Sequence, residues 1–436
     1  VSRNQPSSAA ASRGHLRLER TLLVIGVAGL GYNLRGSISS LPPVFPELQS
    51  SLHLSSTAIS FLAATPVICF GVVSGFAAAL ARRLGEERVL LGAVIVLAAG
   101  LLARGADASV LLFPGTIAAS GAIAVMNVLL SSLIKRRWPQ RAGFLIGLYI
   151  TALSAGAIVG SLVSVPLWNA SGGSVALTLG WLAAPAALGA LLWLPQAGRR
   201  TARFPGGARV IGEGTPSPAP PRLPRTRLPV YRYALAWYVT LFMGLQSLVY
   251  YACLSWLPSM LRVRGESADG AGDLLALMGV GNLAVSLVIP VAAQRLRSQY
   301  VLVVPTALAV GGGLAGLLYA PLGGAVAWAL ILGAGQNAAL ALAIFFTTAR
   351  TPNAAAAASL SALAQSVGYL LSSAGPLGVG LLHSATGSWT SSVVVLLALT
   401  AVMLVAGMMA ARPRVLPDPA ADPAAAGAPA PVEGAA

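Results

Sequence analysis

The sequence is short of charge. Only 9% of its 436 residues are Asp, Glu, Lys or Arg, while 56% are hydrophobic and the mean hydropathy is +0.78. A soluble domain carries about 25% charged residues, so the chain is read as one that lives in a lipid bilayer. Acids are scarcer still. There are twelve Asp and Glu, all in tails, loops or the ends of hydrophobic segments, and three histidines (His15, His53 and His383) that lie outside or at an end. Proton-driven carriers relay protons through intramembrane Asp, Glu or His. The sequence therefore predicts uniport, exchange, or a substrate that carries its own proton, with Glu47 and Asp273 as the nearest acids. Cysteine is nearly absent. Cys69 and Cys253 both fall within apolar segments and read as small core residues, which leaves no disulfide framework and no thiolate metal site. No Walker loop, acidic pair or metal-ligand cluster is present, so neither an enzyme nor a cofactor is expected.

What is present is a series of twelve apolar segments, each near the ~20 residues needed to cross a bilayer. They run 21–43, 57–80, 89–105, 109–133, 143–167, 175–194, 234–260, 272–293, 299–319, 323–347, 359–383 and 390–411. Every backbone N–H and C=O in hydrocarbon needs an internal partner, so these spans are expected to be helices. The 48 glycines and 29 prolines suit close helix packing and bent helices. The first segment is too long for a signal-peptide core, and no cleavable signal is expected.

The net charge of +16 is arranged about the spans, which points to membrane orientation rather than to nucleic acid. Alternate loops carry Arg82, Arg83 and Arg88, then Lys135, Arg136, Arg137 and Arg141, then Arg295 and Arg297, then Arg350. The intervening loops carry only Arg104, Arg262 and Arg264. The positive-inside rule then puts both termini in the cytoplasm, as in a multi-pass protein of a bacterial inner membrane. Residues 195–233, with eight prolines and eight arginines, read as a cytoplasmic linker between bundles at 19–194 and 234–411; residues 1–18 and 412–436 read as disordered tails. The bundles repeat. Ala81-Arg82-Arg83-Leu84 aligns with Ala293-Gln294-Arg295-Leu296, and Gly121-Ala122 with Gly333-Ala334, both 212 residues on. An all-α membrane protein of twelve helices in two pseudo-symmetric six-helix bundles is the expected fold, with a substrate site between the halves.

Polar side chains larger than Ser are few within the spans. Arg35 is the one charge that cannot be moved to a water-facing end. A guanidinium in the bilayer costs roughly 2.5–3.5 kcal/mol on insertion scales, and arginine cannot escape by deprotonating. Arg35 therefore snorkels to an interface, pairs with carbonyls, or faces a cavity; with no buried acid to partner it, a cavity-facing role is expected. Asn33 is about 200° away on the same helix and is placed at the cavity's edge. Gln246 and Tyr250 on span 7, and Gln365 and Tyr369 on span 11, are each four apart and share a helix face. An amide with a phenol suits a small planar solute, although interhelical hydrogen bonding would also account for them. Asn127, Tyr149, Gln336 and Asn337 are further candidates for the lining.

These residues include several strings that resemble the major facilitator superfamily and, within it, the cyanate/2-nitroimidazole transporters. They are Asn33-Leu34-Arg35, Ile134-Lys135-Arg136-Arg137, Gly244-Leu245-Gln246-Ser247 with Trp256-Leu257-Pro258, Ala364-Gln365-Ser366-Val367-Gly368-Tyr369-Leu370 running to Gly375-Pro376, and Thr386-Gly387-Ser388-Trp389. Family members usually have Pro where this chain has Gly36. The resemblance implies alternating access for a small solute such as cyanate or a nitroimidazole. The expected partners are that solute and the lipid bilayer, with the protein a monomer. An efflux carrier for drugs or metabolites, and a non-transporting solute sensor, are the competing readings.

Overall fold

A computed structural model describes residues 8–106, 109–137, 141–197, 230–286 and 288–417. The described residues are helical throughout, in the order α1 (Ser8–Ser39), α2 (Phe45–Ser51), α3 (Ser56–Leu84), α4 (Glu86–Arg104), α5 (Ser109–Arg137), α6 (Ala142–Ala170), α7 (Val175–Gly180), α8 (Ala183–Ala197), α9 (Ala234–Val263), α10 (Ala268–Val285), α11 (Val288–Arg295), α12 (Tyr300–Tyr319), α13 (Ala325–Ala349), α14 (Ala354–Thr386) and α15 (Trp389–Ala411). Spans 6 and 8 are each split, into α7 with α8 and α10 with α11. The splits fall at Trp181-Leu182 and at Ser286, four residues or fewer before Pro185 and Pro290. Proline lacks an N–H and its ring clashes with the carbonyl four residues back, which ends the first helix and restarts the second. The first span stops at Ser39 rather than 43 for a related reason: Pro42 and Pro43 open a 3-10 turn that leads into α2.

Parts of both expected tails are described. Residues 8–18 continue α1 outward, since extending a formed helix adds a bond per residue with no new nucleus. Residues 412–416 fold back: Leu416 is buried and donates its N–H to the Arg350 carbonyl at 2.9 Å. Residues 198–229 of the linker, and 1–7 and 418–436 of the tails, lie outside the described residues.

The packing carries the internal repeat. In the first half α1 packs on α6, α4 on α5, α3 on α5, α4 on α8 and α1 on α8. In the second half α9 packs on α14, α12 on α13, α10 on α13, α12 on α15 and α9 on α15. Each contact has its counterpart six spans later. The halves meet along α3 with α14 and α6 with α10, which exchange under the same two-fold. Small residues let the paired helices approach. A Cβ on Gly156 would overlap the Tyr32 carbonyl between α6 and α1, and one on Gly375 would overlap the Leu248 carbonyl between α14 and α9. Gly36 belongs to the same seam, lying against Gly156, and α1 runs unbroken through it.

Nine spans among the described residues are apolar and long enough to cross a bilayer by composition alone. The remaining spans are α1, α4 and α14. Of these, α1 and α14 carry Arg35 and Gln365, and α4 begins with Glu86, Glu87 and Arg88.

Three arginines read as loop or span-end charges close helix ends instead. Arg104 is 2% exposed and donates to the Ser37 carbonyl at 2.8 Å and the Leu179 carbonyl at 3.2 Å, the last turns of α1 and α7. Arg350 donates to Ala410 and Ala411 at the end of α15, and Arg264 to Leu317 and Ala320 at the end of α12. The last carbonyls of a helix lack intrahelical donors and carry partial negative charge, so a guanidinium fork satisfies both needs.

Candidate functional site: a cavity between the halves

A cavity of about 480 Å³ lies between the two bundles. From the first half, α1 contributes Arg35 and Ser39, and α6 contributes a serine pair, Ser154 and Ser161, among apolar residues. From the second half come Gln246, Ser247, Tyr250 and Tyr251 of α9; Asn282 of α10; Gln336 and Asn337 of α13; and Tyr369 of α14. The cavity runs to Gln294 and Thr348, beside Arg295 and Arg350, and so opens at the end of the molecule that carries the basic loops.

The other end is shut. Arg262 on α9 pairs with Glu47 on α2 at 2.7 Å. Behind this pair stands a chain of rings. Phe45 meets Trp256 at 5.8 Å, Trp256 meets Trp389 at 5.5 Å, and Trp389 stacks flat on His383 at 3.6 Å. Trp256 is held in place by its indole N–H, which donates to the Pro376 carbonyl at 2.7 Å. Asp273, the other acid considered above, is exposed on α10 and does not line the cavity.

Arg35 sits at the closed end of the cavity, four residues before α1 stops. Its guanidinium carbon is 5.0 Å from the Tyr250 ring centre and 5.7 Å from that of Tyr251. Phe70 of α3 presses edge-on against Tyr251 and Tyr369, at 6.3 and 6.1 Å, and fixes the box. Ring faces attract the cation, and the Tyr251 phenol stands within hydrogen-bonding reach of the guanidinium. Nη1 of Arg35 is buried and makes no hydrogen bond. The side chain is thus neither snorkelled nor capped, and it holds an unused donor toward the cavity.

The structure brings Arg35, Gln246, Tyr250, Gln336, Asn337 and Tyr369 to one cavity and sends the other four candidates elsewhere. Asn33 is 1% exposed and donates to the Gly29 carbonyl at 2.8 Å and the Pro185 carbonyl at 3.1 Å, tying α1 to α8. Both acceptors lie in the first half, so Asn33 serves the packing of its own half. Gln365 is exposed, bonded to Ser361 at 2.9 Å, and lies one turn nearer the basic end than Tyr369. Tyr149 donates to Asn127 Oδ1 at 2.7 Å, joining α6 to α5. Its phenol stands within electrostatic range of Arg35 but off the cavity wall. Tyr251 and Asn282 line the cavity without having been selected from the sequence. Their signal was simply a polar side chain within a span, and the helical face beside Tyr250 was given no weight.

Two related helix bundles about a central cavity, sealed at one end and open at the other, are the architecture of a membrane transporter. Residues 21–376 match the profile of the Major Facilitator Superfamily, and the chain belongs to that family. It is 36% identical to an uncharacterized transporter of Bacillus subtilis over 92% of this chain and 96% of that one. It is 34% identical to the 2-nitroimidazole transporter of Escherichia coli over 90% and 96% of the two chains. Against the cyanate transport protein of the same organism it is 27% identical over 84% and 91%. In structure it resembles a bacterial homologue of the lysosomal transporter Spinster in an inward-facing conformation. The TM-score is 0.71 and identity is 17%, over 92% of this chain and 99% of that one. The chain is a transporter of small molecules, not an enzyme.

Proposed function

We propose that the protein carries a small, planar, electron-rich solute across the membrane by alternating access, with Arg35 as the group that holds it. The observation that carries this reading is the unpartnered Nη1 of Arg35 at the closed end of the cavity, framed by the faces of Tyr250 and Tyr251. A guanidinium is planar and presents paired N–H donors that fit a carboxylate, nitro or cyanate-like group. The tyrosines supply flat apolar walls for a ring or a linear anion. The relatives that transport 2-nitroimidazole and cyanate share these properties in their solutes, both flat and both bearing delocalised oxygen or nitrogen acceptors.

Under this reading the basic end is cytoplasmic, as in a bacterial inner membrane protein with both termini inside, and the conformation described is open inward. The bundles at 19–194 and 234–411 rock about the site as a monomer, joined by the 195–233 linker. The test is counterflow in proteoliposomes with labelled cyanate and 2-nitroimidazole. Uptake of either that is lost in Arg35→Ala supports the reading. Unchanged uptake in that variant, or no uptake of either solute by the wild-type protein, overturns it.

A further inference from the structure

Gln336 differs from the other buried carboxamides of the spans. The amide nitrogen of Asn33 reaches two carbonyls, that of Gln246 reaches the Ser247 hydroxyl at 2.6 Å, and Gln299 uses both ends, donating to Leu296 and accepting from Arg350. Gln336 is 3% exposed, and neither its Oε1 nor its Nε2 has a hydrogen-bond partner. The sulfur of Cys253, a weak acceptor, stands beside it. Polar atoms buried in this way are rare and call for an explanation. Gln336 begins the cavity-lining face of α13. Asn337 lines the cavity next to it, and the lining residues beyond, Leu340, Ala341, Ile344 and Phe345, are apolar as far as Thr348. The carboxamide therefore stands at the closed end, the end where Arg35 enters from the other half.

We propose that Gln336 determines specificity by reading a hydrogen-bonding edge of the solute, which must offer both a donor and an acceptor besides the electron-rich group held at Arg35. The inference rests on the reading of Arg35 given above. The requirement follows from the two unfilled roles. Oε1 can only accept, so the solute must donate; Nε2 can only donate, so the solute must also accept. A simple anion such as cyanate supplies acceptors alone. A nitroazole supplies a ring N–H with a nitro oxygen next to it on one edge, so one carboxamide can meet both while the second nitro oxygen faces Arg35. A site built to hydrogen-bond a solute rejects the analogue that lacks the group, because its own buried atoms are then left unpaired. Because Arg35 and Gln336 belong to opposite halves, a solute that touches both also bridges the two bodies that must rock together.

The experiment compares binding of 2-nitroimidazole with its N1-methyl analogue, which keeps the ring and nitro group but loses the donor. Both are titrated on the purified full chain and on its Gln336→Leu and Arg35→Ala variants. The wild-type protein is expected to bind the N–H form at least tenfold more tightly. Gln336→Leu should reduce that ratio to about one while still binding the methyl analogue measurably, which also shows that the variant is folded. Arg35→Ala should weaken both ligands together. An equal affinity of the wild-type protein for the two ligands overturns the role of Gln336, and this needs no variant. A ratio that survives in Gln336→Leu overturns it as well. If Arg35→Ala binds both ligands as the wild type does while the Gln336 ratio holds, the Arg35 reading falls and the edge-reading by Gln336 stands. If neither ligand binds the wild-type protein, both fall.

Discussion

Arg104 and Arg35 are both arginines enclosed by helices, and the structure treats them oppositely. Arg104 stands where α4 ends, and its guanidinium joins the last carbonyls of α1 and α7. Arg35 stands one turn from the end of α1 and lies against Tyr250 and Tyr251 of the other half. The first places positive charge against the negative ends of two helix dipoles, which makes it a fastener within one half. The second is held by side chains of the other half, with Nη1 left without a hydrogen bond, and it sits on the seam between halves. What distinguishes a structural cation from a working one here is not depth of burial but what the guanidinium meets: backbone carbonyls of its own half for Arg104, side chains around a cavity for Arg35.

That contrast can be broken from either side. The largest stability effect is expected at Arg104→Ala. It strips the donor from two helix ends at once, and charged hydrogen bonds contribute about 1.5–3 kcal/mol each. A loss of about 3 kcal/mol should appear as a lower melting temperature in detergent, with transport per folded molecule unchanged. Arg35→Ala should do the reverse, leaving melting unchanged or slightly raised while uptake falls by about 100-fold, or about 2.7 kcal/mol. Arg35→Lys keeps the charge without the planar fork and should lose about tenfold in uptake. Glu47→Gln removes a partly exposed ion pair worth about 1 kcal/mol or less. It should shift the population toward the outward-open state, read as faster labelling of a cysteine placed at Ser259. The smallest effect is expected at Asn33→Ala: about 1 kcal/mol of stability from its carbonyl bonds, and no change in which solutes are carried. Loss of transport in a fully stable Asn33→Ala protein would show that the division drawn between the two classes of polar residue is misplaced.

The spans, their number and their pairing were legible because lipid imposes one rule on every backbone and the two halves obey it in the same order. Arg35 was legible for a similar reason: a guanidinium in the middle of a segment has few excuses. Arg104 was not, because its partners are backbone carbonyls 67 and 75 residues away, and a carbonyl has no letter in the sequence. Asn33 shows the same blindness. The angular argument that set it about 200° from Arg35 was sound, yet the Pro185 carbonyl that receives its amide comes from α8. Gln365 and Tyr369 do share a face, but four residues are about 6 Å of depth, and the wall of the cavity ends between them. Tyr251 was passed over because a helix was assumed to have one functional side. In α9 nearly every face is buried, against α10, α13, α14 and α15, so neighbouring residues can both look inward.

The ring chain at the closed end divides unevenly between the halves. Trp256, Trp389 and His383 all belong to the second half, and only Phe45 comes from the first. Opening that end therefore need not dismantle the stack. It has to part Phe45 from Trp256, Glu47 from Arg262 and the neighbouring contact of α3 with α14 at Ser60 and Gly380, after which three rings remain assembled as a ready-made platform on one wall of the new entrance. A flat solute arriving from that side would meet an aromatic surface before it reached the cation, and the indole of Trp256, uncovered on one face, would be a natural fluorescent witness to each opening.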